Sequence, residues 1–174
     1  MRNLLLCVAL ALPVWAVPPP MQANNLNVDV RVEQTQQTTT RMRSSTGDFA
    51  KTDRNRRTLL VNLKRIGECV PGVTVYGFFI ARDSQGRTSG FYGASVESTS
   101  VKRAEGTTIE MKSDDVVGDR TRILDLRLVS GDYPHGWVVL VYQNGNKVRE
   151  VANTPEMLKW FWKNLPKKEA EKLK

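Results

Sequence analysis

The sequence predicts a mainly β protein, an antiparallel β-sandwich of about seven or eight strands followed by a short amphipathic C-terminal helix. Three observations support this class. Several segments between residues 26 and 152 alternate apolar and polar residues, turn-forming residues separate these segments, and there is neither βαβ alternation nor an internal repeat. Short strands joined by turns are typical of sandwiches.

The first predicted strand begins at Leu26. Every second residue from there to Val32 is apolar, which is the period of a half-buried strand. A polar run from Glu33 to Asp48 follows and is rich in threonine, a good strand former. This run either extends the strand or forms a linker, and the sequence leaves both open.

The next two strands carry most of the predicted core. Residues 56–66 form the second strand, with Leu59, Val61 and Leu63 on one face. Residues 72–83 form the third strand. Its apolar residues occupy both faces, so we expect it to lie in the centre of a sheet.

Turn and bulge residues mark the following segment. The run from Asp83 to Gly86 predicts a turn. Residues 88–103 then fit a strand interrupted by Gly90 and Gly93, which predicts a bulge or a sheet edge there.

Two further strands are predicted at 106–113 and 120–130, with an acidic loop at 114–119 between them. In the second of these strands, leucines alternate with residues 123, 125 and 127. The alternation predicts that one leucine face points inward, made by Leu124, Leu126 and Leu128.

The last predicted hairpin follows a strand at 137–142 that is apolar on both faces. Asn144 and Gly145 both tolerate a positive φ, so they predict a type I′ turn. A two-residue turn at this point would place Val141 opposite Val148, and the register of the hairpin would follow from that pairing.

A helix is predicted to begin with Thr154 as N-cap and Pro155 as first residue. Its apolar stripe consists of Met157, Leu158, Phe161, Trp162 and Leu165. Trp160 falls at the edge of this stripe, so we expect it to be the most exposed aromatic. Pro166 should end the helix and leave a frayed basic tail at 167–174.

The first 23 residues have the layout of a secretory signal peptide. A basic Arg2 precedes an apolar run from Leu4 to Leu12, and cleavage after Ala16 or after Ala23 fits the peptidase. The run is too short to cross about 30 Å of hydrocarbon, so we expect no transmembrane segment in the mature chain. The protein is therefore expected to be exported: periplasmic, at the cell surface or secreted.

The mature chain would consist of a sandwich domain at 24–153 and the C-terminal helix with its basic tail at 154–174. Removal of the signal peptide removes Cys7 and leaves Cys69 alone, so no intramolecular disulfide is expected. Cys69 is then either a buried thiol or part of an intermolecular disulfide.

The formal charge of the whole chain is +8, with a pI near 9.7. In an exported chain without a nucleic-acid-binding motif, this charge either favours anionic envelope or extracellular polymers as partners or has no specific role, and no nucleic acid is expected.

The sequence carries little that indicates catalysis, and we expect no enzymatic activity, no cofactor and no metal. His135 is the only histidine, and there is neither a nucleophile elbow, a phosphate loop nor a zinc-ligand spacing. Four carboxylates could pair for glycosidase chemistry, but no spacing distinguishes them: Glu97, Glu105, Glu110 and Asp125. An acidic turn explains Asp114, Asp115 and Asp119 better than a calcium site does.

Aromatic residues near turns, edges or termini are the candidate partner-binding residues: Phe91, Tyr92, Tyr133 and Trp160. Aromatic rings suit protein interfaces and sugar stacking, whereas ordinary core packing is the competing explanation.

Two segments, "RTLLVNLKRIGECVPGVTVYGFFIARD" and "GWVVLVYQNGNKVREVANTPEML", together with the signal peptide, resemble exported immunoglobulin-like β-sandwich proteins of Gram-negative bacteria. The resemblance includes pilus- or fimbria-associated members. It implies an immunoglobulin-like sandwich that serves as a non-catalytic assembly or adhesion module, with a protein partner or self-assembly in the envelope. The chain lacks the long N-terminal helix of type IV pilins and the disulfide usual in chaperone-usher subunits.

Two hypotheses follow from the sequence. The first is an interaction or structural module that associates by strand addition, with residues 26–40 as the segment for strand exchange. The second is a carbohydrate-binding module for anionic glycans that combines aromatic stacking with basic side chains.

Overall fold

The computed structural model describes residues 26–42, 48–65, 70–101, 106–123 and 126–173. Eight strands are followed by two short helices: β1 Leu26–Met42, β2 Phe49–Arg65, β3 Val70–Asp83, β4 Thr88–Val101, β5 Thr107–Lys112, β6 Val116–Ile123, β7 Leu126–Gln143, β8 Asn146–Ala152, α1 Pro155–Asn164 and α2 Lys167–Lys172. The mainly β class, the number of strands and the C-terminal helix are confirmed. The predicted signal peptide and both cysteines lie outside the described residues.

All strand pairs are antiparallel, and hydrogen bonding joins the strands in the order β1-β2-β6-β7-β3-β4. The first half of β2 pairs with β6 and its second half with β5. In the same way β7 pairs with β6 up to Gly131 and with β3 from Asp132 onward, while β8 pairs with the end of β7. β7 therefore passes from one layer of the fold into the other, whereas β2 only changes its partner within one layer, and the sandwich-like layers share one hydrogen-bonded sheet.

The main core lies between two layers. Leu59, Val61 and Leu63 are fully buried on β2, as the sequence predicts. They belong to one cluster with buried residues of β3, β5 and β7: Val73, Val75, Phe79, Ile109, Met111, Trp137, Val139 and Val141. Each fully buried aliphatic side chain contributes about 1.5–3 kcal/mol, so this cluster dominates the stability of the fold.

The other faces of β3 and β7 are covered by the helices. Phe78, Ile80, Val138, Leu140 and Tyr142 form a second cluster with Met157, Phe161, Leu165 and Leu173. Apolar layers on both sides explain why these two strands are apolar on both faces. The predicted central position of β3 is confirmed, since it lies between β7 and β4.

The helix α1 begins where the sequence predicts. Thr154 accepts a hydrogen bond from the Met157 amide through its side chain, and Pro155 is the first helical residue. The prediction of a frayed tail at 167–174 is wrong, because residues 167–172 form the helix α2. Its start is stabilised by the Pro166 carbonyl, which accepts hydrogen bonds from the amides of Glu169 and Ala170.

The polar run after Val32 extends the first strand, since β1 continues to Met42 and pairs with β2 along its whole length. The predicted strand at 120–130 is wrong: Ile123 pairs with Leu126, so β6 and β7 form a hairpin. The expected inward leucine face is also wrong, because Leu126 and Leu128 are 66% and 56% exposed. Alternation identifies a face but does not show whether another layer covers it.

The predicted turn at Asn144 and Gly145 is confirmed, with φ values of 49° and 79°. The register beyond it differs by one residue. A bulge between Val141 and Tyr142 places Val141 opposite Arg149 rather than Val148.

The predicted irregularity of β4 is confirmed as well. This strand pairs only with β3 among the described strands, and its register shifts next to Gly93 and Gly90. It is therefore a bulged edge strand.

Candidate interaction surface

Four strands extend beyond the main core as one hydrogen-bonded sheet. We call this part the arm and define it as residues 32–42, 49–56, 116–123 and 126–131; the rest of the described fold is the body. The strand order across the arm is β1-β2-β6-β7. Every residue from Glu33 to Met42 and from Leu126 to Gly131 is exposed.

Most of the exposed large hydrophobic residues of the described ranges belong to the arm. Six lie there and two in β4: Val32, Met42, Val117, Leu126, Leu128 and Val129 in the arm, and Phe91 and Val96 in β4. Met42 is 87% exposed. Concentrated exposed apolar area marks interaction surfaces more often than scattered single residues do.

The strand register divides the arm into two faces. The inner face continues the core-facing side of β2 and carries one row formed by Met42, Phe49, Arg122 and Arg127, and a second formed by Thr40, Lys51, Arg120 and Val129. Phe49, Lys51 and Val129 help to line a shallow groove of ≈ 320 Å³ on this face. This face carries Lys51, Arg120, Arg122 and Arg127 against one carboxylate, Asp53, so it can attract anionic groups.

One buried carboxylate anchors the inner face. Asp53 is fully buried and accepts a 2.7 Å hydrogen bond from the Thr38 hydroxyl. Lys51 and Arg120 lie 3.6 Å and 3.5 Å from its oxygens. Burial by itself would raise the pKa of Asp53, but the hydrogen bonds from Thr38 and Gln36 and the two cations outweigh it and lower that pKa.

The outer face of the arm is mostly polar. A groove of ≈ 350 Å³ runs across β1, β2 and β5 and is lined by Glu33, Thr35, Gln37, Arg54, Arg56, Thr58, Glu110, Lys112 and Asp115. Arg56 donates a 2.9 Å hydrogen bond to Asp115, and both residues line this groove. Leu126 and Leu128 supply the apolar part of this face.

Two of the four candidate aromatic residues lie together. Phe91 on β4 is 36% exposed, and its ring centre is 5.4 Å from that of Trp160. Phe91 also packs edge-on against Phe161 at 5.9 Å. Trp160 is half-buried against the second cluster, so the expectation that it stays exposed is wrong. The ring of Phe91 covers it.

The other two candidates lie elsewhere. Tyr92 is half-buried and packs on Phe79 at 5.9 Å, and burial raises the pKa of its hydroxyl although Arg57 opposes the shift. Tyr133 lies at the base of the arm, with the Arg120 guanidinium 6.0 Å from its ring centre. The four aromatics therefore do not form one stacking platform.

The groups considered for catalysis or metal binding are dispersed. His135 has basic neighbours: burial, then Arg82 and Arg57, lower its pKa. Glu110 pairs with Lys112 at 3.1 Å, whereas Glu97 lies exposed on β4. Glu105 and Asp125 lie outside the described residues.

The expected acidic loop is shorter than predicted: Asp114 and Asp115 lie in the connection between β5 and β6, but β6 begins at Val116 and includes Asp119. Asp119 accepts a 2.7 Å hydrogen bond from Thr52, and Asp115 pairs with Arg56. Within the described ranges, no three carboxylate, histidine or cysteine side chains are grouped as a metal site would require.

The comparisons with known proteins do not assign a family. No family model matches the chain, and no curated protein matches it. One similar solved structure is an X-ray structure of a Northeast Structural Genomics Consortium target, 14% identical, with 64% of this chain and 84% of that chain covered and a TM-score of 0.23. Another is a crystal structure from Akkermansia muciniphila, 11% identical, with coverage of 85% and 83% and a TM-score of 0.22. Scores this low carry no functional argument.

The two helices of the described chain are short, and neither has the length and apolar character needed to span a bilayer.

Sequence reasoning missed the arm. Its apolar residues Met42, Phe49 and Val129 occur in segments that look like loop or ordinary strand. One feature could have indicated it: the apolar alternation of β1 stops at Val32 while strand-forming threonines continue. A strand that continues without apolar alternation has no core to cover it.

Proposed function

We propose that the protein is an exported, non-catalytic interaction or structural module that joins an assembly through its arm, in a pilus-associated, fimbrial or adhesive role. The observation that carries the proposal is the arm itself, a strand-paired extension that exposes hydrophobic side chains on both faces. Export is proposed from the signal-peptide layout of residues 1–23.

The sheet edges of the arm support this mechanism. β1 pairs only with β2, and residues 126–131 of β7 pair only with β6, among the described strands. Their outward N–H and C=O groups can pair with a strand of another chain, and an exposed edge gives affinity through main-chain hydrogen bonds. Nearby apolar side chains then supply burial and selectivity.

Exchange of β1 itself is a weaker mechanism than addition at its edge. Leu26 is buried, and Val28 and Val30 pack against the main core, so detaching β1 would expose them. Addition at the free edge leaves the β1–β2 pairing intact.

The experiment is site-specific photo-crosslinking in cells that produce the full chain. A photo-reactive residue in place of Thr39, on the outer face of the arm, should give a crosslinked product of higher mass than the single chain. The second component of that product can be another copy of the chain or a different molecule. The matched control is the same residue at Ser84, an exposed turn position of the body. If Thr39, Lys51 and Leu128 all give no more product than Ser84, the proposal is wrong.

A second candidate, binding of anionic glycans, is favoured by one observation, the basic inner face around Lys51, Arg120 and Arg127. A sulfated polysaccharide such as heparin is a suitable probe. Arg120→Ala with Arg127→Ala should then weaken retention on it, whereas Lys64→Ala, on the outer side of β2, should not. Equal retention of all variants would exclude the inner face as a glycan site.

A further inference from the structure

The free edge of β1, on the side away from β2, differs from the free edges of β4 and β8. β4 is interrupted by two bulges, and β8 has seven residues, including Lys147, Arg149 and Glu150. Bulges, short length and charge are the devices that prevent strands of other molecules from pairing with an edge. β1 is 17 residues long, and its pairing with β2 shows no register shift.

The middle of this edge also lacks the residue types that prevent pairing with a strand of another molecule. From Gln34 to Thr40 the sequence is QTQQTTT, with no charged residue, proline or glycine, and every one of these side chains is exposed. Uncharged segments rich in threonine and glutamine form strands readily and pair with copies of themselves. The free edge of β7 is a poorer template, because it covers only residues 126–131 and ends at Gly131, where φ is +84°.

We propose that two copies of the chain pair antiparallel through this edge, around a two-fold axis at Gln37. This inference rests on the proposed function and names its partner as a second copy. Gln37 would lie opposite its own counterpart, Glu33 opposite Arg41, and Val32 opposite Met42 of the second copy. The two sheets would become one sheet across the dimer, with like faces on the same side.

Charge and apolar complementarity select this register. It forms two symmetric Glu33–Arg41 pairs on the outer face, and on the inner face it covers Val32 and Met42, which are 40% and 87% exposed. An axis at Gln36 would instead place Arg31 opposite Arg41, and like charges in direct opposition destabilise a strand pair.

An axis at Thr35 is disfavoured for a different reason. It would pair Asp29 with Arg41, but the overlap would extend to Val28. There β1 lies over the main core, and β8 approaches the same strand. The Gln37 axis confines the overlap to residues 32–42, where every side chain of β1 is exposed.

Disulfide trapping tests the axis directly. In the full chain with Cys7 and Cys69 changed to alanine, Gln37→Cys should form a disulfide-linked dimer rapidly. Opposing residues have Cα atoms about 4.5–5.5 Å apart, within the range a disulfide spans. Thr35→Cys is the matched control, because its counterpart would lie about 13 Å away along the strands. A mixture of Thr35→Cys and Thr39→Cys chains should crosslink to each other.

Charge reversal tests the same register in solution. Arg41→Glu places two carboxylates together at both ends of the pairing, so light scattering should show a dimer about tenfold weaker. Glu33→Arg combined with Arg41→Glu restores opposite charges and should restore dimer formation.

The outcomes separate this inference from the proposed function. Faster trapping at Thr35 or Gln36 than at Gln37, or an assembly that grows beyond two copies, overturns the two-fold axis. A monomer at all concentrations, with no trapping at any of these positions, overturns self-pairing altogether. If that monomer still crosslinks through Thr39 to another envelope component, the proposed function stands and only the second copy is excluded.

Discussion

The body and the arm share the strand β2, which places the same backbone in two different environments. In the body, Leu59, Val61 and Leu63 are completely buried between layers. In the arm, the same strand is flanked by β1 and β6, and Phe49 and Lys51 are only half-buried. Along β2 the strand pairing is equally regular in both regions, whereas the buried apolar side chains of this strand all lie in the body.

This difference shows what holds each region. The body is stabilised by apolar burial on both sides of β3 and β7. The arm depends on backbone hydrogen bonds, on cross-strand side-chain pairs and on the buried carboxylate of Asp53, each contributing about 1 kcal/mol. Because the arm has little apolar burial of its own, pairing with an additional strand would stabilise it more than it would stabilise the body.

The largest expected effect comes from equal truncations in the two regions. Leu59→Ala should lower the free energy of unfolding by about 2–5 kcal/mol, because it leaves a cavity in the main core. Leu126→Ala should change it by less than about 0.5 kcal/mol, since that side chain is 66% exposed. Urea unfolding of both variants measures the contrast. Similar losses would mean that the arm is covered in solution.

A smaller effect is expected where β7 passes from the arm into the body. Gly131 has a φ of +84°, and a Cβ there would lie 2.4 Å from the Val117 carbonyl oxygen. Gly131→Ala should therefore cost about 1–3 kcal/mol of unfolding free energy. Gly90→Ala is the matched control, because nothing lies within 4 Å of its added Cβ. If the midpoint of thermal unfolding were unchanged in Gly131→Ala, the close approach of residue 131 to the Val117 carbonyl would be contradicted.

The smallest effect concerns pH. Because the pKa of Asp53 is lowered by folding, its carboxylate stabilises the folded state above its ordinary pKa of about 3.9, and that contribution is lost as pH falls through the folded value. Asp53→Asn should cost about 1–2 kcal/mol at pH 7 and less at pH 3.

Urea unfolding of Asp53→Asn and the unmodified chain at both pH values tests this linkage. Asp29→Asn, which removes an exposed pairing with Arg31, serves as the surface control and should have little effect at either pH. A cost for Asp53→Asn that is the same at pH 7 and pH 3 would show that the charge is not responsible.

The sequence predicts an element well where a local pattern of residues is compatible with only one structure. Asn144 and Gly145 specify their turn, Thr154 and Pro155 specify the helix start, and the alternation from Leu59 to Leu63 specifies a buried face. Each of these depends only on local backbone preferences or on a single covered face.

The burial of the other strand faces and the exposure of the candidate aromatic residues could not be predicted. They depend on which faces are covered by elements that are distant in the sequence. Leu126 and Leu128 occupy alternate positions of β7 as Leu59, Val61 and Leu63 do of β2, yet only the β2 residues meet another layer. The bulge beside Tyr142 shifts a register that the turn alone would have set. Among the candidate binding residues, the helical period places Trp160 at the correct edge of its helix, but its cover by Phe91 comes from a distant strand.

The docking of the two helices has a consequence for how the chain folds. Phe161 and Leu173 complete an apolar layer over β3 and β7, and the Tyr142 hydroxyl donates a hydrogen bond to the Leu173 carbonyl. These closing residues follow every described strand in the chain, so the layer over β3 and β7 closes only when the end of the chain has docked. In any state in which the helices have not docked, Ile80 and Leu140 lack this cover, and an intermediate of this kind exposes apolar surface that can associate with other molecules.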